Sequence, residues 1–183
     1  MFFFVDVIII LYIKFLLGGV FMKNRYAKIF GTSFENKIVN IEYSPGNDYY
    51  EFIREQREAG FKQIIITSEI MLKIIDEYFL NRKMNISSIE FMVDDDCLDK
   101  EVKSILNNML SDRAYYNKLI DKIKFLIEES SIDIKKIELK GKLEDNTVIS
   151  IFIQVNGILG INEDHFEDEA KRLVNKIAGW LQG

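Results

Sequence analysis

Apolar residues recur along the chain with two different spacings, and the switches between them mark out the elements. Strand-like runs cover residues 26–30 and 37–43, and the polar stretch 31–36 between them reads as the loop of a hairpin. Ser44-Pro45-Gly46-Asn47 is a turn. Helical spacing then predicts a helix over 48–59, with Tyr49, Phe52, Ile53 and Gln56 on one face. Asp48 or Asn47 supplies its N-cap and Gly60 its stop. The unbroken run Ile64-Ile65-Ile66 within 61–67 predicts a strand buried on both faces. A second helix over 68–80 follows from the stripe Ile70, Met71, Ile74, Ile75 and Tyr78, and residues 86–93 read as another strand.

Residues 98–129 carry a long helical pattern through Val102, Leu106, Met109, Tyr116, Ile120, Ile123 and Ile127. Ser111-Asp112 interrupts it with a fresh capping signal, so two packed helices are expected rather than one long arm. A second hairpin spans 132–143 and 147–155 and turns at Glu144-Asp145-Asn146, after which Gly157 and Gly160 read as punctuation. Asn162 is placed as the cap of a last helix reaching about Leu181, which buries Phe166, Ala170, Leu173, Val174 and Ile177. The expected fold class is α/β (mixed α+β): a central mixed sheet with two β-hairpins flanking a parallel βαβ crossover, and helices packed on the sheet. The crossover is assigned to 61–67, 68–80 and 86–93, with right-handed connection.

Residues 1–21 break this regularity with a nearly continuous apolar run, MFFFVDVIIILYIKFLLGGVF. The length suits a membrane helix, yet Lys14 well inside it would cost roughly 2.5–3.5 kcal/mol at a helix centre. Leu17-Gly18-Gly19-Val20 can be encoded by a stretch containing AGGAGGTG, a bacterial ribosome-binding sequence at the right distance before Met22. Richness in Ile, Lys, Asn and Phe fits an AT-rich genome, whose leader DNA would translate into such a run. The expectation is therefore an apolar leader over 1–21 and a single mixed α/β domain over 22–183. The alternatives are a buried first helix or strand and a genuine anchor, the latter with Lys23, Arg25 and Lys28 holding the rest of the chain in the cytoplasm at the inner face of the membrane.

Composition changes the picture mainly by exclusion. A net charge of −5 gives no general attraction to phosphate backbones, so no nucleic acid is expected as partner. The densest basic stretch, 135–142, alternates with apolar residues as a solvated strand face does. Cys97 is the one cysteine, so no disulfide can form within the chain. His165 is the one histidine, set among Glu163, Asp164 and Glu167, and reads as an exposed helix-start residue. There is no glycine-rich phosphate loop and no serine elbow in residues 22–183.

One acidic constellation has chemical content. If the strands 61–67 and 86–93 lie side by side and parallel, Glu69, Asp94 and Asp96 would converge beyond their carboxyl ends, where open α/β sheets bind ligands. Such oxygen ligands suit Mg²⁺ or Mn²⁺ and would support phosphotransfer or nuclease chemistry. A strand ending in Glu and a later one in Asp-x-Asp resembles, in outline, the Toprim domain of primases and topoisomerases, without the glycine that follows each acidic element there. Asp96 as a cap of the next helix is the plainer reading. A second kind of site is aromatic: Tyr43, Tyr49 and Tyr50 around the turn, and Trp180 near the end of the last helix, are candidate anchors for a partner. The first expectation for function is a small bacterial, cytoplasmic protein that acts by binding. It would engage a protein partner or a second copy of itself, as a regulator, an immunity-like inhibitor or an accessory factor, without catalysis. The metal-dependent enzyme and the membrane-anchored cytoplasmic domain are the alternatives.

Overall fold

A computed structural model describes residues 23–32, 37–142 and 146–182. The apolar segment 1–21 lies outside them. The elements run β1 (Asn24–Thr32), β2 (Ile38–Glu42), α1 (Tyr49–Glu58), β3 (Phe61–Gln63), α2 (Ser68–Asp76), β4 (Asn85–Phe91), α3 (Asp96–Met109), α4 (Tyr115–Ser130), β5 (Ile134–Lys142), β6 (Val148–Gln154), β7 (Ile158–Asn162) and α5 (Phe166–Gln182). One π-helical turn, Glu77–Asn81, continues α2, and a 3₁₀ turn, Glu163–His165, leads into α5.

The seven strands form one antiparallel sheet in the order β2-β1-β7-β6-β5-β4, with β3 added to β1. Phe30 lies opposite both Val39 of β2 and Gln63 of β3, while Lys28 lies between Ile41 of β2 and Ile158 of β7. β3 and β7 therefore share one edge of β1. Both hairpins form as expected, β1 with β2 and β5 with β6.

The parallel crossover does not form. β3 pairs antiparallel with β1, and β4 sits at the far edge of the sheet, antiparallel to β5. The isoleucine run that suggested a doubly buried strand leaves the sheet after Gln63. Ile65 is 57% exposed, and only Ile66 is buried, where its N–H donates to the Val155 carbonyl at 2.8 Å. β-Branched composition favours extended backbone but carries no information about the partner strand.

β7 is the strand that local pattern did not reveal. All five of its residues are buried, so no alternation survives to mark it. Gly160 at its centre is a packing requirement rather than punctuation, because the Phe152 ring of β6 occupies the space beside it.

Helices α2 to α5 cover one face of the sheet. There Ile137, Leu139, Ile151, Ile153 and Ile161 pack against Ile74, Leu106, Ile123, Leu173 and Ile177 in one large core. α1 covers the opposite face at the β1 end, where Phe52 and Ile53 enclose Phe30 with Val39, Ile41 and Phe61 at the margin. Across β4, β5 and β6 that second face is polar and half-buried: Lys136 pairs with Glu138 at 2.5 Å and Glu90 at 3.4 Å and lies over the Phe152 ring.

Candidate functional site

The predicted acidic residues are all exposed. Glu69 lies in the first turn of α2, which Thr67 caps by accepting from the Ile70 N–H. Asp94 lies in the link after β4, and Asp96 is the first residue of α3. The cap of α3 is Asp95 rather than Asp96: its carboxylate accepts from the Cys97 and Leu98 N–H groups at 2.8 and 3.1 Å. The strands that were to set these carboxylates side by side are not neighbours. The two segments are tied instead through Asp133, whose carboxylate accepts from Ser68 Oγ at 2.6 Å and whose carbonyl accepts from the Met92 N–H at 2.9 Å. Among the described residues, no group of three or more Asp, Glu, His or Cys side chains is arranged to hold a metal ion.

The predicted tyrosines do come together. Tyr43 leaves β2 and Tyr49 opens α1, and their ring centroids stand 5.9 Å apart, edge to face. Tyr49 meets Tyr50 at the same 5.9 Å, and Tyr43 rests on Phe52 of the smaller core at 5.2 Å. The rings thus step from the core to solvent, ending at Tyr50, which is 83% exposed. Asp48 fixes the step by capping α1 through the Tyr50 and Glu51 N–H groups. Trp180 is not part of this group. It is half-buried near the end of α5 and packs on the large core.

Beneath the tyrosines lies a fully buried lysine. Lys28 Nζ donates to the Asn156 carbonyl and stands 5.4 Å from the Phe30 ring centroid and 5.9 Å from that of Tyr49. Burial pushes its pKa down to about 8.

Local sequence reading missed a third feature, a basic groove of about 1400 Å³ between α5 and the turn that follows α2. Its lining includes Arg82, Lys83, Lys142, Lys171, Arg172 and Lys176, against the two carboxylates of Asp168 and Glu169. The π-helical turn ends at Asn81, and Lys83 then adopts a left-handed φ of 60°, which folds the chain back into β4. Met84 packs so closely on Gly141 that a β-carbon there would stand 2.5 Å from Met84 Cγ. This contact holds the turn against the end of β5 and brings Lys142 into the groove.

The floor of the groove is a buried charge network. Glu169 of α5 is only 5% exposed and pairs with the Arg82 guanidinium, while the Tyr78 hydroxyl donates to it at 3.2 Å and Arg172 Nε stands 3.6 Å away. Burial alone would lower the Arg82 pKa, but Glu169 outweighs it and the pKa is raised. Burial and the Glu169 charge push the Tyr78 hydroxyl up. At the rim, Lys176 pairs with Glu77 at 3.1 Å, and Lys83 Nζ donates to the Leu80 carbonyl at 2.8 Å. Lys83, Lys142 and Lys171 have no carboxylate partner among the described residues. The signal that was legible is the basic face of α5, where Lys171, Arg172, Asn175 and Lys176 lie within two turns. Its complement comes from two distant segments.

No family model matches this chain, and no curated protein or solved structure matches it.

Proposed function

We propose that this protein acts by binding another protein, as a regulator, inhibitor or accessory factor, and not by catalysing a reaction. The observation that carries the reading is the ordered step of Tyr43, Tyr49 and Tyr50 out of the smaller core. Tyrosine offers large contact area with few rotatable bonds, so a ring already held in place loses little entropy on docking. An exposed ring supported by two others gives a preorganised anchor, and the neighbouring hydroxyls give polar contacts at the rim.

The test places a photo-crosslinking residue at position 50, and separately at exposed Lys103, in the full chain expressed in its natural source. The expected result is one protein captured in near-stoichiometric yield at position 50 only, and lost when Tyr49→Ala is added. Equal capture at both positions, or none at position 50, overturns the tyrosine surface as the docking site.

A further inference from the structure

We infer that the groove between α5 and the turn at 81–84 receives an acidic segment of a protein, with its carboxylates seated on Lys83, Lys142 and Lys171. The inference rests on the reading that this protein works by binding proteins, and it names the chemistry of what is bound at a second surface. Its starting point is an imbalance of charge. The whole chain carries −5, yet among the described residues six Lys and Arg side chains line this one groove against two carboxylates. A cleft lined by one sign of charge concentrates ligands of the other sign.

The groove is also built rather than accidental. Buried Glu169 fixes Arg82 and approaches Arg172, so the cationic wall is held in place before anything binds. Lys83, Lys142 and Lys171 lack carboxylate partners among the described residues, and the bond from Lys83 Nζ to the Leu80 carbonyl uses one of its three donors and leaves its charge unpaired. Unmet like charges gathered from three separate segments repel one another, and an anionic ligand relieves that repulsion.

Three observations select a protein segment over other anions. The groove holds about 1400 Å³, is open and is lined mainly by charged side chains, whereas sites for small organic molecules are typically about 300–1,000 Å³ and mostly apolar. Among the described residues no Phe, Tyr or Trp lines it, so a single-stranded nucleic acid would find only the His165 ring on which to stack its bases. Duplex binding commonly engages roughly 6–10 phosphates, more than the three unpartnered lysines can serve on a chain of net negative charge.

The experiment titrates the full chain with a fluorescent peptide of alternating Glu and Ser, beside its Gln–Ser counterpart and a short oligothymidine strand. The expected result is saturable binding of the acidic peptide alone, falling by roughly tenfold or more as salt rises from low to about 0.3 M. The combined variant Lys83→Gln, Lys142→Gln and Lys171→Gln is expected to lose binding by at least roughly tenfold. These lysines are exposed, and circular dichroism confirms that the variant is folded. Lys62→Gln with Lys103→Gln and Lys124→Gln, three lysines exposed away from the groove, serves as the matched loss of charge elsewhere and is expected to bind as the parent does. Absence of peptide binding, equal loss in both sets of variants, or tighter binding of the oligothymidine overturns the inference. Tyr49→Ala is expected to leave the peptide titration unchanged, so failure of the groove and failure of the tyrosine surface are read separately.

Discussion

The ring of Phe152 stands where a side chain at Gly160 would have to go. A β-carbon on Gly160 would lie 2.3 Å from Phe152 Cε1 and 2.7 Å from Cζ, closer than such atoms approach. The two residues face each other across β6 and β7, and Tyr26 faces Gly160 from the other side on β1. Tyr26 and Phe152 then meet over the glycine with ring centroids 5.8 Å apart. Aromatic residues on the two flanking strands thus cover the bare backbone of the middle one.

Gly160→Ala is accordingly expected to destabilise the protein by roughly 1–3 kcal/mol, the cost of overpacking a filled site. Urea denaturation measures it. Because the clash is with one ring, the same substitution in a Phe152→Ala background is expected to cost much less. An equal cost in both backgrounds would mean that the backbone of β7, and not the ring, demands glycine.

The groove floor yields a second expectation. Glu169→Ala removes the carboxylate that holds Arg82 and accepts from the Tyr78 hydroxyl, leaving a guanidinium that is only 17% exposed without its partner. Breaking a fully buried pair costs roughly 3–5 kcal/mol, and partial exposure of Arg82 reduces this to about 2–4 kcal/mol. Arg82→Met together with Glu169→Leu is expected to recover most of that loss, since it buries no unpaired charge. Thermal unfolding of the parent and the two variants decides the matter.

Lys28 sets a pH dependence of defined sign. Its pKa is about 8 in the fold against 10.5 ordinarily, so within that window the unfolded chain binds more protons and stability rises with pH. Near pH 10 tyrosine ionisation in the unfolded chain enters with the opposite sign, because Tyr49, Tyr78 and Tyr116 all keep their protons longer in the fold. Stability is therefore expected to climb from pH 8 to about 10 and then to fall. Lys28→Met is expected to flatten the climb and to be more stable at pH 7 by up to about 3 kcal/mol. A flat profile in the parent protein would show that Lys28 keeps its ordinary affinity for protons.

Two helix positions are expected to be stabilised by opposite changes. Gly179 lies within α5 with nothing among the described residues inside 4 Å of its absent β-carbon, so Gly179→Ala should stabilise by about 0.5–1 kcal/mol. Ser131 ends α4 in the left-handed conformation at φ 54°, where glycine is unstrained, so Ser131→Gly should stabilise by about 1 kcal/mol. Chemical denaturation of each single variant checks the two signs.

What the sequence determined by itself was whatever depends on residues within a turn or two of one another. Asp48 caps α1 and Gly60 follows its end with a φ of 89°, as their positions beside the helical stripe predict. The break near Ser111-Asp112 is real, with the Asp112 carboxylate accepting from the Ala114 N–H before α4 begins. Both hairpins formed for the same reason, since their strands and turns are contiguous in the chain. Even Tyr43, Tyr49 and Tyr50 met because one short turn joins them. Only the tertiary structure decided the rest. Asn162 does not cap the last helix, because its side chain is engaged across the sheet with the Ser150 N–H and the Val148 carbonyl. β3 and β4 went to distant positions in the sheet, and β7 took the place beside β1 with no alternation to announce it. The basic groove draws Arg82, Lys142 and Lys171 from three segments, of which only the basic face of α5 was legible by itself. Backbone propensity and capping act over a few residues. Strand partners and shared surface charge are settled by burial summed over the whole chain, which no local window contains.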